Sequence, residues 1–188
     1  MLDANELRPG VVDCPEQLIE LRLYRRAVAI LAVLNEEDHQ EGEVIAGHSA
    51  GAYNGRMLAY DPRWLGSGRR RIRGFIGLSG PYDFLPFDGP ITREAFKGTA
   101  DLASTQPVNF VARGDAPAFL ATGDEDTFVQ PANSDALAAR LRAVGTRVVR
   151  RSYPGIGHVG TLTAIARPLR NRAAVLDDMS LFAQSVTQ

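Results

Sequence analysis

The sequence predicts an α/β protein: a mostly parallel sheet covered by helices on both faces. Three observations lead there. Short apolar runs alternate with helical segments along the chain. Glycines close several of the apolar runs. The residues able to do chemistry fall just after those runs, at the strand ends where α/β sheets carry their sites. At 188 residues, 45% hydrophobic and 23% charged, the chain has the size and composition of a single domain spanning residues 1–188.

The elements follow in order. From Pro15 to about Asp38, Leu18, Leu21, Leu23, Ala27, Val28, Ile30, Leu31 and Leu34 recur mostly at three- and four-residue steps, the pattern of an amphipathic helix with Pro in its first turn. Gly42 ends the polar stretch that follows, and Glu43-Val44-Ile45-Ala46 reads as a short buried strand. Ala50 to Tyr60 is rich in small residues and stopped by Asp61-Pro62, which makes it a helix. Ile72 to Leu78 is the next strand, and Ser79 to Pro90 a long irregular loop. Pro117 to Thr122 is a third strand closed by Gly123, and Asn133 to Val144 a helix ended by Gly145. Arg147 to Tyr153 is a fourth strand, and helical stretches at about Leu162–Arg167 and Leu176–Ser185 complete the chain.

Composition excludes several function classes. A formal net charge of -1 offers no field for nucleic acid or an anionic membrane, since both are gathered by clustered Lys and Arg. The basic run Arg69-Arg70-Arg71-Ile72-Arg73 has no interleaved aromatic residues to stack bases and reads as a solvated turn entering a strand. The lone Cys14 has no partner for an internal disulfide, which fits a reducing compartment. The N-terminus has no apolar signal region, and no apolar run approaches the roughly 20 residues that span a bilayer. A cytoplasmic location is expected, with no cofactor and no metal site.

The chemistry centres on Gly47-His48-Ser49-Ala50-Gly51, a G-x-S-x-G pattern between a strand and a helix. A serine hydroxyl is a weak nucleophile at neutral pH and needs exposure, a base, and a carboxylate to orient that base. A tight strand-to-helix turn lifts the Ser49 side chain off the sheet, and Gly47 and Gly51 suit the close backbone approach in such a turn. Gly123-Asp124-Glu125-Asp126 follows the third strand; in this Gly-x-x-Asp turn Asp126 points toward the sheet, while Asp124 and Glu125 ride on the exposed loop. Asp115 is read as a loop acid at the strand's entrance. His158, flanked by glycines beyond the fourth strand, is the one histidine after the serine. Of the other two, His39 lies in an acidic, solvated stretch, and His48 is placed to pack behind the serine. The order Ser49, Asp126, His158 is that of one class of serine hydrolase.

With these residues in place, a resemblance can be stated. GHSAGAYN, GFIGLSGPYDFLP, TGDEDTFVQPANSDALAARLRAVG and YPGIGHVGTLTAIARPLRNRAAVLDD resemble the α/β-hydrolase fold in its esterase and lipase branch. They resemble small bacterial carboxylesterases, a group that also looks similar to kynurenine formamidases. The resemblance covers roughly Ala27 to Phe182. It implies Ser49 as nucleophile, His158 as general base and then acid, Asp126 as its orienter, and the Ala50 backbone N–H as an oxyanion donor. The expected activity is cleavage of a small carboxylic ester through an acyl-enzyme on Ser49, with hydrolysis of an aryl formamide as the alternative. Tyr82, Phe84 and Phe87 either line the acyl or leaving-group pocket or simply close the core.

One departure shapes a further expectation. The fold usually places four strands before the strand that carries the serine, with a His-Gly-Gly loop supplying a second oxyanion donor. Here 48 residues precede Ser49 and no His-Gly-Gly occurs. The N-terminal strands are therefore expected to be missing. The serine's strand would lie at an open edge that invites pairing into a homo-oligomer. An inactive remnant acting through protein association is the corresponding alternative of another class.

Overall fold

The computed structural model describes residues 30–34, as a strand, and 43–187. Its five-stranded sheet has the order β1-β2-β3-β4-β5, with β1 at Ile30–Leu34, β2 at Glu43–His48, β3 at Ile72–Leu78, β4 at Ala118–Gly123 and β5 at Val148–Tyr153. Strands β2 to β5 are parallel, whereas β1 runs antiparallel to β2 from Ile30↔His48 to Leu34↔Val44.

Strand β1 corrects two expectations. Residues 30–34 lie inside the predicted Pro15–Asp38 helix, whose other residues are outside the described ones. Ile30-Leu31-Ala32-Val33-Leu34 is an unbroken apolar run with no period of its own. The ladder offered by β2 decides in favour of strand. The same pairing covers the outer side of β2, so the strand before Ser49 is internal and not an open edge. Cys14 and His39 also lie outside the described residues.

The parallel strands are near-continuous apolar runs because both faces are covered. On one face, Ile45, Phe75, Ala118 and Leu120 pack with Ala52, Ala59 and Tyr60 of helix α1 (Ala50–Tyr60). The same cluster holds Leu137, Ala138 and Leu141 of helix α4 (Ala132–Ala143), which follows the short helices α2 (Pro62–Leu65) and α3 (Pro90–Ala95). On the other face, Val44, Ala46, Ile76, Leu78, Phe119 and Ala121 pack with Val175, Met179 and Phe182. These last three belong to helix α6 (Val175–Thr187), preceded by the single turn α5 (Gly160–Thr163). The helix expected at Leu162–Arg167 is instead α5 followed by a 3₁₀ segment at Arg167–Arg172, where Pro168 removes a backbone donor.

Two local devices set the frame around α1. Asp61, fully buried, accepts a hydrogen bond from the Arg63 N–H and pairs with its guanidinium, which ends α1 and starts α2. Arg56 is buried inside α1 with its guanidinium 3.2 Å from the centre of the Tyr60 ring and 3.5 Å from Asp115. Asp115 is therefore the half-buried partner of a core arginine, more than a loop acid. Burial pushes the Arg56 pKa down, opposed by Tyr60 and Asp115.

The basic run behaves as a solvated turn: Gly66–Arg71 is a 3₁₀ segment entering β3, with Arg70, Arg71 and Arg73 exposed. Among the described residues no helix is long and apolar enough to cross a membrane.

Candidate active site

The site lies at the carboxyl ends of β2, β4 and β5. Ser49 follows β2 with φ 54° and ψ -122°, a strained conformation for a residue with a side chain. Its position is fixed by the Ser49 N–H donating to the Leu78 carbonyl (2.9 Å), which carries the parallel ladder one residue past the strand. Serine at a helix N-terminus ordinarily caps the helix with its hydroxyl. Here the hydroxyl makes no capping bond and is free to point out of the turn. The turn needs glycine: a Cβ on Gly47 would sit 2.4 Å from the Gly51 backbone.

His158 reaches Ser49 from the loop after β5. Its Nε2 lies 2.9 Å from the Ser49 Oγ and its Nδ1 2.9 Å from the Asp126 Oδ2. Asp126 closes the turn after β4 and is buried, and its other oxygen accepts the N–H groups of Phe128 (3.0 Å) and Val129 (2.8 Å). The carboxylate therefore keeps one oxygen for the imidazole. Its neighbours Asp124 and Glu125 are exposed, and Asp124 instead accepts the Gly155 N–H at 2.8 Å. Because a carboxylate only accepts, Nδ1 carries the hydrogen and Nε2 is left to accept the serine proton.

Ala50 is the first residue of α1, so its N–H stands ahead of the intrahelical hydrogen-bond ladder. That donor directly follows the nucleophile position. The structure thus brings Ser49, Asp126 and His158 together in one hydrogen-bonded row, with Ala50 adjacent.

The loop after β3 divides the aromatic residues named from the sequence. Tyr82 is fully buried in the core cluster. Phe84 and Phe87 are half-buried in an aromatic cluster with Phe96, and Phe84 also meets Tyr53 on α1, one turn beyond Ser49. The Asn133 side chain anchors this loop by accepting the N–H groups of Tyr82 and Asp83, both at 2.9 Å.

Three contacts at the site were not read from sequence. Phe128 is exposed with its ring 5.0 Å from the His158 ring; its place two residues after Asp126 is the one signal pointing to it. His48 is buried, as expected for its position, and also donates from Nε2 to the His158 carbonyl at 2.9 Å. Thr161 donates to the same carbonyl at 3.2 Å, a bond its place three residues after His158 could have suggested.

Two grooves lie away from Ser49. One of about 660 Å³ has Arg69, Arg73, Arg113 and Arg147 at the amino ends of the strands; the other, of about 490 Å³, runs beside α1 past Tyr53, Met57 and Phe96. Among the described residues no group of three His, Cys, Asp or Glu side chains is placed to hold a metal ion.

Neither a protein-family model nor a curated protein sequence matches the chain. Solved structures do. The chain is similar to a truncated form of a carbohydrate esterase from gut microbiota, with TM-score 0.60 and 19% identity over 76% of this chain and 58% of that one. It is similar to esterase 2 from Thermogutta terrifontis, with TM-score 0.56 and 15% identity over 73% of this chain and 52% of that one. An acylaminoacyl peptidase gives TM-score 0.57 and 17% identity over 79% of this chain and 24% of that one. The chain thus spans little more than half the length of either esterase. At these identities the likeness is one of fold.

Proposed function

We propose that this chain, which has the α/β-hydrolase fold, is a serine hydrolase that cleaves a small carboxylic ester through an acyl-enzyme on Ser49. The observation that carries the reading is the row Asp126–His158–Ser49, two 2.9 Å contacts joining the ends of three parallel strands. In this reading His158 Nε2 takes the Ser49 proton as Oγ attacks the ester carbonyl. Asp126 holds the ring and stabilises the imidazolium that forms. The tetrahedral oxyanion accepts the Ala50 N–H. Collapse breaks the bond to the leaving alkoxide, which receives the proton from His158. Water, deprotonated by the same nitrogen, then releases the acid and restores Ser49.

Two considerations favour an ester over an amide. An ester is less resonance-stabilised than an amide, and its alkoxide leaves more readily than an unprotonated amide nitrogen. The ester therefore asks less of the oxyanion site, for which the Ala50 N–H is the donor named above. The solved structures of similar fold also include several esterases by name. The test is p-nitrophenyl acetate hydrolysis by wild type and Ser49→Ala. Loss of at least about a thousandfold in kcat is expected for removal of the nucleophile, and an unchanged rate would sink the reading.

A further inference from the structure

The carbonyl oxygen of His158 is held from two sides. His48, the last residue of β2, places Nε2 at 2.9 Å from it, and Thr161, in the first turn of α5, places Oγ1 at 3.2 Å. Behind Thr161 stands Ser79, just past β3, with its Oγ 3.1 Å from Thr161 Oγ1. Ser79 has φ 49° and, with Ser49, is one of the two non-glycine residues at positive φ among those described. Ser79 and Thr161 are fully buried and His48 is 4% exposed. The ends of two central strands are thus tied to the backbone of one residue on a glycine-flanked loop.

The hydrogens in this network are determined. A carbonyl only accepts, so His48 Nε2 must carry the hydrogen, leaving Nδ1 bare. That Nδ1 is buried and meets no donor or acceptor among the described residues. Thr161 spends its hydrogen on the same carbonyl, so Ser79 donates to Thr161. A second proton on His48 would be a buried donor without a partner, which is costly. Burial also lowers the His48 pKa, and the neighbouring His158 adds to that effect, against the opposing bond to the His158 carbonyl and the field of Asp126. His48 is therefore the neutral tautomer. Its ring stands 4.9 Å from the His158 ring, and a neutral neighbour there adds no repulsion when His158 turns into an imidazolium.

We propose that His48 is a positioning residue: with Thr161 and Ser79 it pins the His158 backbone so that the imidazole meets Ser49 and Asp126 together. The inference rests on the serine-hydrolase reading above. A general base displaced by about 1 Å costs on the order of a hundredfold in rate, and the bonds from His48 and Thr161 are the ones made to the His158 carbonyl itself.

The test compares His48→Leu, which fills the space without a donor, with His48→Gln, whose amide N–H reaches toward the same carbonyl, and with Thr161→Val. Ester kcat and KM, the pH profile of kcat/KM, and an NMR titration of the His158 ring are measured on each folded protein. For His48→Leu a fall in kcat of about 10- to 100-fold is expected, with KM within about twofold and a shifted His158 titration. His48→Gln should recover most of the loss. Thr161→Val should fall less and be non-additive with His48→Leu, because both donors serve one acceptor. If His48→Leu keeps the wild-type kcat and titration, or if His48→Gln falls equally far, the inference is wrong. A wild type that fails to react at Ser49 overturns the hydrolase reading instead. The NMR titration of wild type against His48→Leu then still decides the positioning claim.

Discussion

Gly123 presses directly on the carbonyl of Ile156: a Cβ built on Gly123 would lie 1.7 Å from that oxygen. The same carbonyl accepts the Glu125 N–H at 3.1 Å, and the Asp124 N–H bonds to Tyr153 at 3.1 Å. With the Asp124 side chain on the Gly155 N–H, these contacts zip the loop that carries Asp126 to the loop that carries His158. The 2.9 Å contact between the two side chains is thus set by backbone as much as by charge.

Gly123→Ala should therefore damage both fold and site. The methyl meets backbone that cannot swing aside, so overpacking of about 1–3 kcal/mol is expected, together with a fall in kcat/KM as the loops part. Thermal unfolding and ester kinetics on the same preparation check this. A variant with wild-type stability and turnover would show that the loops are not in register as described.

Asp126→Asn should leave the protein folded and nearly inactive. An amide in this place presents N–H₂ or oxygen to Nδ1 and no longer enforces the tautomer that leaves Nε2 free to accept. A kcat loss on the order of 10³–10⁴ is expected, measured against Asp124→Asn, which should retain most activity because the Asn Oδ1 can still accept the Gly155 N–H.

How much of this was legible in the sequence depended on the kind of interaction. Ala50–Tyr60 and Ile72–Leu78 occur with the bounds expected, because small residues, Asp61-Pro62 and flanking glycines mark them locally. Ile30–Leu34 was misread, since five apolar residues in a row carry no period and the choice was made by pairing with β2. Leu162–Arg167 was misread because Pro168 outweighed the apolar spacing. Asp126 could be told from Asp124 and Glu125 by its place in the turn. The bond from His48 to His158 joins residues 110 apart and involves a carbonyl, which every residue has. No pattern of side chains could announce it.

His48 also sets a pH dependence of stability. Burial above all lowers its folded pKa below the usual histidine value, with a smaller push from His158, against the bond to the His158 carbonyl and the field of Asp126. Below about pH 6.5 the unfolded chain binds a proton that the folded chain resists, so stability falls as pH drops through that value toward the folded pKa. Denaturant unfolding between pH 7.5 and 5 should show this loss, and His48→Gln should flatten the part due to this residue. An identical slope in the variant would mean that His48 is not held neutral.

The central claim is that Ser49, His158 and Asp126 act as one acyl-transfer unit, and labelling with a fluorophosphonate tests it most directly. The reagent phosphonylates a serine only when its base and oxyanion support work together. Peptide mass spectrometry should find the adduct on Ser49 in the folded wild type, none in Ser49→Ala, and strongly slowed labelling in His158→Asn. Folded wild-type protein that stays unlabelled at Ser49, or His158→Asn labelled as fast as wild type, would contradict the account.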